Sequence, residues 1–359
     1  MILQGKRVLV TGGTGSLGKV LVRRILAGEV GLPSKLIVFS RDEAKQHDMR
    51  MGYLNRTVAT DETIYRNFMN LLEFRIGDVR RFEDLVAALR DVEVVVNAAA
   101  LKQVPACEYF PDQAVATNCL GALNLVRAVG EAAAPPETVL SVSTDKACKP
   151  VNVMGMTKAL QEKIFIAAGV TNPRTRFVGV RYGNVLASRG SVIPLFHDQI
   201  RGGGPVTVTH PDMTRFLMSL DQAVDTIFAA LRGACPGEIY VPRVPGARIL
   251  DVARALVGER NVEIRVTGIR PGEKMHEILV SEEEGARTAA RGAWMALRPM
   301  LPELLERCKE GDFAPVPLEG REYSSADDLL DLEGVRALLA RHRLRLEDLE
   351  PGAKGELLR

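Results

Sequence analysis

An aspartate and a lysine stand side by side where an apolar run of the sequence ends. Asp145 and Lys146 follow the run Val139–Ser143, with only Thr144 between. A carboxylic acid can donate a proton and an amine can accept one, provided that their surroundings bring both pKa values toward neutrality. The pair can therefore carry acid–base chemistry; the alternative is a capping aspartate beside a solvated lysine.

A second chemical signal is a glycine-rich segment between the apolar run Arg7–Val10 and a helical pattern. It reads Thr11-Gly12-Gly13-Thr14-Gly15-Ser16-Leu17-Gly18. Glycines in the turn let backbone amides approach a pyrophosphate, a later glycine lets the helix pack against the strand, and the helix N-terminus faces the phosphates. Between a strand and a helix, this spacing predicts a dinucleotide-binding site rather than a structural turn.

The end of the second predicted strand, Lys35–Phe39, indicates which dinucleotide binds. An NAD site usually has an acid there for the ribose 2′-hydroxyl. Here Ser40, Arg41 and Lys45 suit a 2′-phosphate, so NADP is predicted and NAD is less favoured. Asp42 could still reach a hydroxyl, and Arg41 could be an ordinary surface charge. Further cofactor contacts are predicted at Asp78, Val79, Ala98, Ala99 and Ala100.

These residues need a scaffold in which strand ends converge. Apolar runs alternate with helical patterns through the first half: Glu73–Ile76, Val92–Val96 and Arg176–Arg181 predict strands, and Glu83–Arg90 and Asn118–Glu131 predict helices. This alternation predicts an α/β fold, a Rossmann-like doubly wound parallel sheet with its chemistry at the carboxyl ends of the strands. The segment 47–71 is long for a connection and predicts a helix plus a loop.

The sequence after Arg181 has a mixed pattern, which predicts a smaller C-terminal substrate-binding domain. It holds one short strand pattern and three helical ones, Val206–Thr209, Asp221–Arg232, Ile249–Val257 and Asp331–His342. We predict an NADP-binding Rossmann domain over 1–182 plus roughly 220–255, and a substrate-binding domain over 183–219 and 256–290. A C-terminal extension covers 291–359, with its last ten residues frayed.

Composition excludes several functions. The 359 residues include 47 basic and 45 acidic ones, so no global positive field favours nucleic acid. No apolar stretch is long enough for a membrane span, and the N-terminus runs directly into a strand pattern, so we expect a cytoplasmic protein without a signal peptide. The five cysteines form no Cys-x-x-Cys pair, which argues against a disulfide framework and a metal site.

The segment around the acid–base pair resembles the extended short-chain dehydrogenase/reductase family. That family has a Ser or Thr after the fifth strand, matched by Thr144, and a Tyr-x-x-x-Lys on the next helix. Lys158 matches the lysine, but Met154 stands at the tyrosine position, and a thioether cannot transfer a proton. The resemblance implies that Lys158 holds the nicotinamide ribose. Without the tyrosine, either the enzyme is inactive or another group does the acid–base work.

Further motifs resemble one branch, the C5-inverting UDP-N-acetylglucosamine 4,6-dehydratases with Met-x-x-x-Lys. They include Ser143-Thr144-Asp145-Lys146-Ala147, Arg181-Tyr182-Gly183-Asn184-Val185, Ser188-Arg189-Gly190-Ser191-Val192-Ile193-Pro194, Met213-Thr214-Arg215-Phe216 and Arg270-Pro271-Gly272-Glu273-Lys274. The resemblance covers residues 4–284. The sequence departs from this pattern at Gln103, at Cys148-Lys149 and at what looks like an insertion over 55–70.

This resemblance implies a reaction without net redox change. Hydride leaves C4 of the sugar, water is lost across C5 and C6, and hydride returns to C6, giving a UDP-2-acetamido-2,6-dideoxy-hexos-4-ulose for surface polysaccharide synthesis. Lys146 would take the C5 proton, Asp145 would protonate the C6 hydroxyl and Thr144 would bind the C4 oxygen. Either Asp145 or Lys146 could deprotonate the C4 hydroxyl. The implied substrate contacts are Lys102, Asn184, Val192, Thr207, Arg215, Arg270 and Glu273.

Two other functions stay open. A UDP-hexose 4-epimerase would share the fold and the hydride step, but Met154 and the Asp145–Lys146 pair favour elimination. A non-catalytic nucleotide-binding regulator would explain the missing tyrosine but not the retained Asp145, Lys146 and Lys158. The family resemblance also implies a homo-oligomer, a dimer or a hexamer.

Overall fold

The structure is a computed structural model that describes residues 1–54, 62–186, 191–308 and 321–348. Part of the insertion-like segment, residues 55–61, lies outside these ranges. So do the motif residues Ser188, Arg189 and Gly190 and the C-terminal residues 350–359, for which fraying was predicted.

A parallel sheet forms the centre of the fold, because its apolar strands are buried on both faces. Its first six strands are β1 (Arg7–Thr11), β2 (Lys35–Ser40), β3 (Leu72–Ile76), β4 (Val94–Asn97), β5 (Thr138–Thr144) and β6 (Arg176–Tyr182). They lie in the order β3-β2-β1-β4-β5-β6, and each neighbouring pair is parallel. The order reverses between β1 and β4, and doubly wound sheets bind their ligands at such a point.

Helices cover both faces of this sheet. In the first half they are α1 (Ser16–Leu26), α2 (Glu43–Leu54), α3 (Glu62–Leu71), α4 (Phe82–Ala88), α5 (Val104–Tyr109), α6 (Pro111–Ala114), α7 (Gly121–Glu131) and α8 (Val153–Thr171). Val8 and Val10 pack in one apolar cluster, and Leu9 packs in another on the opposite face. The predicted Rossmann-like doubly wound fold is therefore confirmed. The predicted helix Asn118–Glu131 is divided into a π-helical segment, Val115–Leu120, and α7.

The second half extends the sheet and adds a separate apolar core. Its strands are β7 (Val206–Val208), β8 (Thr214–Phe216), β9 (Ile239–Pro242), β10 (Gly246–Arg248), β11 (Ile264–Val266), β12 (Ile278–Val280), β13 (Thr288–Arg291), β14 (Trp294–Leu297) and β15 (Tyr323–Ser324). Its helices are α9 (Val192–Arg201), α10 (Leu220–Gly233), α11 (Ile249–Val257), α12 (Glu282–Gly285), α13 (Pro302–Leu305) and α14 (Leu332–Arg341). Beyond β6 the sheet continues as β9, β14 and β13, the last two antiparallel.

The C-terminal helix α14 belongs to the second core. Val335 and Leu339 of α14 pack with Val252 and Leu256 of α11 and with Phe196 of α9. The C-terminal segment therefore contributes to packing in the half of the chain for which substrate binding is predicted. The predicted domain limits stay a prediction. Among the described residues, no helix combines the length and apolar character that crossing a membrane requires.

A buried guanidinium connects the sheet to the second half. Arg181, at the end of β6, is 2% exposed. It donates to Glu162 of α8 (Nη2–Oε2 2.6 Å), to Glu284 of α12 (Nη1–Oε2 2.7 Å) and to the carbonyl of Leu279 (2.9 Å). Burial alone would raise the pKa of Glu284, but Arg181 outweighs this effect and lowers that pKa to about 2. Glu284 thus stays ionised, and the contacts of Arg181 with Glu162 and Glu284 hold three elements together.

Replacing the guanidinium tests this connection. In Arg181→Gln the carboxylates of Glu162 and Glu284 lose their common cation, so the free energy of unfolding should fall by about 3–5 kcal/mol. Urea denaturation followed by circular dichroism measures the loss. Arg66→Gln is the control, because Arg66 forms an exposed pair with Glu62 and its loss should change stability little. An Arg181→Gln protein as stable as the wild type would contradict the assigned role.

Candidate active site

The turn that follows β5 places Asp145 and Lys146 side by side in a tightly packed environment. The hydroxyl of Thr144 donates to Asp145 Oδ1 (2.7 Å) and accepts from the backbone N–H of Lys146 (3.4 Å). The N-terminus of α8 presses on this turn: a Cβ at Gly155 would lie 2.2 Å from the carbonyl oxygen of Lys146. Asn152 caps α8 by accepting from the Gly155 N–H (2.8 Å). Only glycine allows this approach, so α8 and the turn are fixed together.

Lys146 lies between two buried carboxylates. Its Nζ is 3.2 Å from Asp145 Oδ1 and 3.1 Å from Glu277 Oε1, a residue of the segment that enters β12. The side chains of Asp145 and Glu277 are 1% and 3% exposed, whereas that of Lys146 is 21% exposed. Arg215 Nε of β8 is 3.6 Å from the same Glu277 oxygen. We call Asp145, Lys146, Arg215 and Glu277 the acid–base cluster.

Burial and the neighbouring charges shift the pKa values of Asp145, Lys146 and Glu277. Burial raises the pKa of Asp145, and Glu277 adds to the rise while Lys146 opposes it. Burial alone would lower the pKa of Lys146, but Asp145 and Glu277 outweigh it and raise that pKa. Burial would raise the pKa of Glu277, yet Lys146 and Arg215 lower it. Glu277 is therefore the ionised carboxylate, Lys146 rests as an ammonium, and Asp145 is the carboxylate more readily protonated.

Two oxygens of the cluster lack partners. Asp145 Oδ2 and Glu277 Oε2 are buried and accept no hydrogen bond from the described residues. Buried polar atoms normally find a partner, and exceptions are concentrated where catalysis or an absent ligand accounts for them. The unpartnered oxygens distinguish the cluster from a fully satisfied structural ion pair and make it the candidate active site.

Lys158 and Met154 of α8 differ sharply in their surroundings. Lys158 is buried and donates to the carbonyl of Val142 (2.6 Å) and to Gln161 Oε1. Burial lowers the pKa of Lys158 to about 8. Met154 packs with Cys107 and other apolar side chains and is 4% exposed. The position of the family's tyrosine is thus part of an apolar cluster.

The predicted dinucleotide loop lies against the end of β4. Gly12 has a φ of +67°, and a Cβ there would lie 2.8 Å from the backbone of Ala98 and Ala99. Thr11 Oγ1 donates to Asn97 Oδ1 (2.6 Å) and accepts from the Ala99 N–H (3.2 Å). The glycine is required by both conformation and space, because a left-handed φ and a close approach coincide here. The segments after β1 and β4 therefore form one continuous backbone surface.

Serine and threonine hydroxyls link this loop to the end of β2. Thr14 Oγ1 and Ser40 Oγ are 3.1 Å apart. A Cβ at Gly18 would lie 2.5 Å from Gly13, so α1 packs closely against the loop. The other predicted cofactor residues lie in the segments that follow β1, β3 and β4; they are Gly15, Ser16, Leu17, Val79 and Ala100.

The two predicted phosphate-binding cations have different partners. Lys45 forms an ion pair with Asp42, and this contact lowers the pKa of Asp42. Arg41 is 57% exposed at its side chain, and its Nη1 lies 4.0 Å from Asp78 Oδ2. Asp78 is itself bound by Arg80 (Nη2–Oδ2 2.6 Å). Arg41 therefore has the weaker ion pair of the two cations and is the more available one for a phosphate group.

The predicted substrate-binding residues do not converge in one contact network. Arg215 Nη1 donates to the carbonyls of Thr214 (2.7 Å) and Lys274 (3.1 Å), so Arg215 anchors the chain near Glu277. Its phosphate contact stays a prediction. Asn184 Oδ1 is buried without a partner among the described residues. In the described part of the chain, the remaining predicted contacts make no direct bond to the acid–base cluster; they are Lys102, Val192, Thr207, Arg270 and Glu273.

Sequence reasoning missed Glu277. In the sequence, Glu277 stands directly before the apolar run Ile278–Val280. An acid at such a position would be buried and would need charged or polar partners. Lys274 belongs to the motif Arg270-Pro271-Gly272-Glu273-Lys274, but the sequence predicts no role for it. In the structure its Nζ donates to the carbonyl of Cys148 (2.6 Å). This bond ties the segment before β12 to the turn after β5, which explains how Glu277 reaches Lys146.

Known proteins resemble this chain over most of its length. The family model described as polysaccharide biosynthesis protein matches residues 8–299. A protein of Rickettsia bellii (strain OSU 85-389) named UDP-glucose 4-epimerase is 40% identical over 358 residues, which cover 96% of this chain and 94% of that protein. The crystal structure of Pen from Bacillus thuringiensis has a TM-score of 0.84 at 29% identity, covering 96% of this chain and 100% of that one.

A more distant structure shares the fold alone. DesIV, a dTDP-glucose 4,6-dehydratase from Streptomyces venezuelae with NAD and TYD bound, has a TM-score of 0.63 at 23% identity, covering 75% of this chain and 86% of that one. The family match and the full-length relative agree with the motifs, the doubly wound sheet and the glycine loop. This chain therefore belongs to the polysaccharide biosynthesis protein family, within the extended short-chain dehydrogenase/reductases.

Proposed function

We propose that this protein is a UDP-N-acetylglucosamine 4,6-dehydratase that inverts C5. The acid–base cluster carries the proposal. Elimination of water needs a base for the C5 proton and an acid for the departing C6 hydroxyl, whereas epimerisation at C4 needs only proton exchange at the C4 oxygen. Asp145 and Lys146, 3.2 Å apart, supply both groups, and Met154 leaves the tyrosine position without a proton donor.

The proposed cofactor is NADP. The glycine loop supports a bound dinucleotide, because it lies between β1 and α1 and the N-terminus of α1 can face the phosphates. Ser40 and Arg41, the cation with the weaker ion pair, would hold the 2′-phosphate. Lys158 would hold the nicotinamide ribose. A bound cofactor of this kind would supply the hydride acceptor for C4 of the sugar and the hydride donor for C6.

The proton steps follow from the cluster. Lys146 rests as an ammonium, so transfer of its proton to Asp145 across the 3.2 Å contact creates the base and the acid together. Lys146 then takes the C5 proton, which the 4-ketone acidifies, and Asp145 protonates the C6 hydroxyl as it leaves as water. Thr144 would bind the C4 oxygen. The proton of the C4 hydroxyl passes through Lys146, whose side chain is 21% exposed, to solvent, which leaves Lys146 neutral for the C5 proton. Lys146 keeps the proton taken from C5, and a proton from solvent enters C5 on the opposite face. One proton goes to solvent and one returns in each cycle, so the cycle balances and the pair ends as it began.

A UDP-sugar substrate is supported by the relatives and by unsatisfied groups of the chain. The Rickettsia bellii relative carries the name of an enzyme of UDP-glucose. The buried oxygen of Asn184 has no partner among the described residues, and Arg270 is exposed. We assign Asn184 to the nucleotide sugar, Arg270 to its phosphates and Glu273 to the uridine ribose, as the family resemblance implies.

A UDP-sugar 4-epimerase is the second candidate. The 40% identity to a protein named UDP-glucose 4-epimerase favours it. An epimerase would use the same hydride step, but it gives no role to a paired acid and base buried with a second carboxylate.

We also propose a homo-oligomer. Five large apolar side chains on the π-helical segment, α7 and α8 are 43–53% exposed, and they support an interface between copies; they are Val115, Leu120, Leu123, Met156 and Leu160. The helices α7 and α8 pack together, so these side chains lie on neighbouring elements.

The product distinguishes the two candidate enzymes. Purified protein incubated with UDP-N-acetylglucosamine should give a nucleotide sugar lighter by one water, detected by mass spectrometry, and proton NMR should show inverted C5. Lys146→Ala should abolish the mass loss while the cofactor stays bound, and Lys163→Ala, an exposed lysine of α8, should keep it. A C4 epimer of unchanged mass would overturn the dehydratase proposal. Full activity of Lys146→Ala would overturn the assigned base.

The nucleotide preference depends on Arg41. Arg41→Ala should weaken binding of NADP about tenfold or more, because a charge-assisted contact to phosphate is lost, and should leave NAD binding unchanged. Lys45→Ala should have a smaller effect, since Lys45 is paired with Asp42. Fluorescence titration measures both affinities, and Arg90→Ala, an exposed arginine that follows α4, is the control. Equal losses for both dinucleotides would contradict the assignment.

A further inference from the structure

Glu277 is held more firmly than an incidental neighbour of Lys146 would be. Its backbone N–H donates to Ser325 Oγ (2.9 Å), and its carbonyl accepts from the Ser325 N–H (2.8 Å). Ser325 Oγ is in turn 2.7 Å from Thr214 Oγ1 on β8. The C-terminal segment after β15 and strand β8 thus fix Glu277 from two sides. Its carboxylate is 3% exposed, so its position is set by packing rather than by solvent.

The negative charge of Glu277 affects the charge balance around the Asp145–Lys146 pair. Glu277 faces Lys146, Arg215 and Lys274, and Lys146 faces Asp145 as well. The guanidinium of Arg215 is a cation 3.6 Å from Glu277 Oε1, so the charge of Glu277 offsets it. The two carboxylates then balance Lys146 and Arg215, and Lys274 is the one further cation that faces them. Without Glu277, the pair would lie near Arg215 with nothing to offset that positive charge.

Resting on the proposed function, we propose that Glu277 is a positioning residue of the reaction. It holds Lys146 Nζ near Asp145 and offsets Arg215, so that the Asp145–Lys146 pair retains one transferable proton. Glu277 acts through Lys146 and needs no contact with the sugar.

The direction of the pH effect follows from the sign of the charge removed. Glu277→Gln deletes a negative charge beside both groups, which stabilises the aspartate anion and destabilises the lysine ammonium. The pKa of Asp145 and that of Lys146 should both fall, by about one unit or more for a charge at this distance. Both limbs of the pH profile of turnover should therefore move to lower pH. A purely structural contact would lower activity without moving either limb.

Kinetics on three variants test the proposal. Glu277→Gln should lower kcat about tenfold or more, with KM little changed, and shift both limbs toward acid. Glu277→Asp keeps the charge with a shorter reach, so it should lower kcat while the limbs stay in place. Glu282→Gln removes an exposed carboxylate of the neighbouring helix and is the matched control, with unchanged kinetics. Folded Glu277→Gln protein with unmoved limbs would overturn the proposal.

A direct titration separates this proposal from the proposed function. NMR of isotope-labelled lysine side chains, with Lys146 assigned by the loss of its signal in Lys146→Met, follows the Lys146 pKa without substrate. A fall in Glu277→Gln supports the charge role even if no water is eliminated from UDP-N-acetylglucosamine, and no change overturns it. If Glu277→Gln does not fold, Arg215→Gln provides the converse test: the Lys146 pKa should rise, and an unchanged value overturns the proposal.

Discussion

The buried guanidinium of Arg181 is the constraint on which the rest of the structure depends. It extends from the end of β6, beside the strand that carries Asp145, because Ser143 is registered with Arg181 across the sheet. Its partners Glu162 and Glu284 belong to α8 and α12. A buried arginine with both carboxylates in place is stable, whereas any member without its partners is strongly unfavourable. The three elements therefore keep a single relative arrangement.

This arrangement brings the chemistry together. The helix that carries Glu162 also carries Lys158, and it presses Gly155 onto the turn of Asp145 and Lys146. The chain that leads into β12 and on to Glu284 also carries Glu277. Holding α8 and α12 against β6 thus places an acid from the second half next to a lysine from the first. The cluster exists only because distant parts of the chain share one buried charge network.

Burial moves the pKa of Asp145 toward the neutral range, whereas the carboxylates around Lys146 raise the pKa of that lysine. In water, an aspartate beside a lysine stays ionised over the whole neutral range, and neither group transfers protons efficiently. Here burial raises the pKa of Asp145, while the opposing charges around Lys146 keep it within contact of both carboxylates. In the proposed reaction the apolar side chain of Met154 transfers no proton, so the proton transfers are assigned to Asp145 and Lys146. The same sheet and glycine loop would serve an epimerase, so fold alone does not decide the reaction.

The sequence alone determined the features that depend on local pattern. The alternation of apolar runs and helical spacing predicted β1–β6 close to their observed limits. The glycine spacing predicted a tight loop, in which Gly12 has a positive φ. The adjacency of Asp145 and Lys146 also needed no structure. The hairpin β13–β14 escaped prediction, because its short strands lack a clear period and are defined by pairing with β9.

Only the tertiary structure decided which distant charges meet. Glu277 lies far from Lys146 along the chain, yet their side chains are 3.1 Å apart. Arg215 was predicted to clamp phosphate, and the fold gives it Glu277 and backbone carbonyls as partners. The periodicity of apolar residues indicates which face of a helix or strand is buried. It does not indicate which charged side chain will lie opposite that face. A buried charge selects its partner through desolvation and distance, and both are set only when the elements pack.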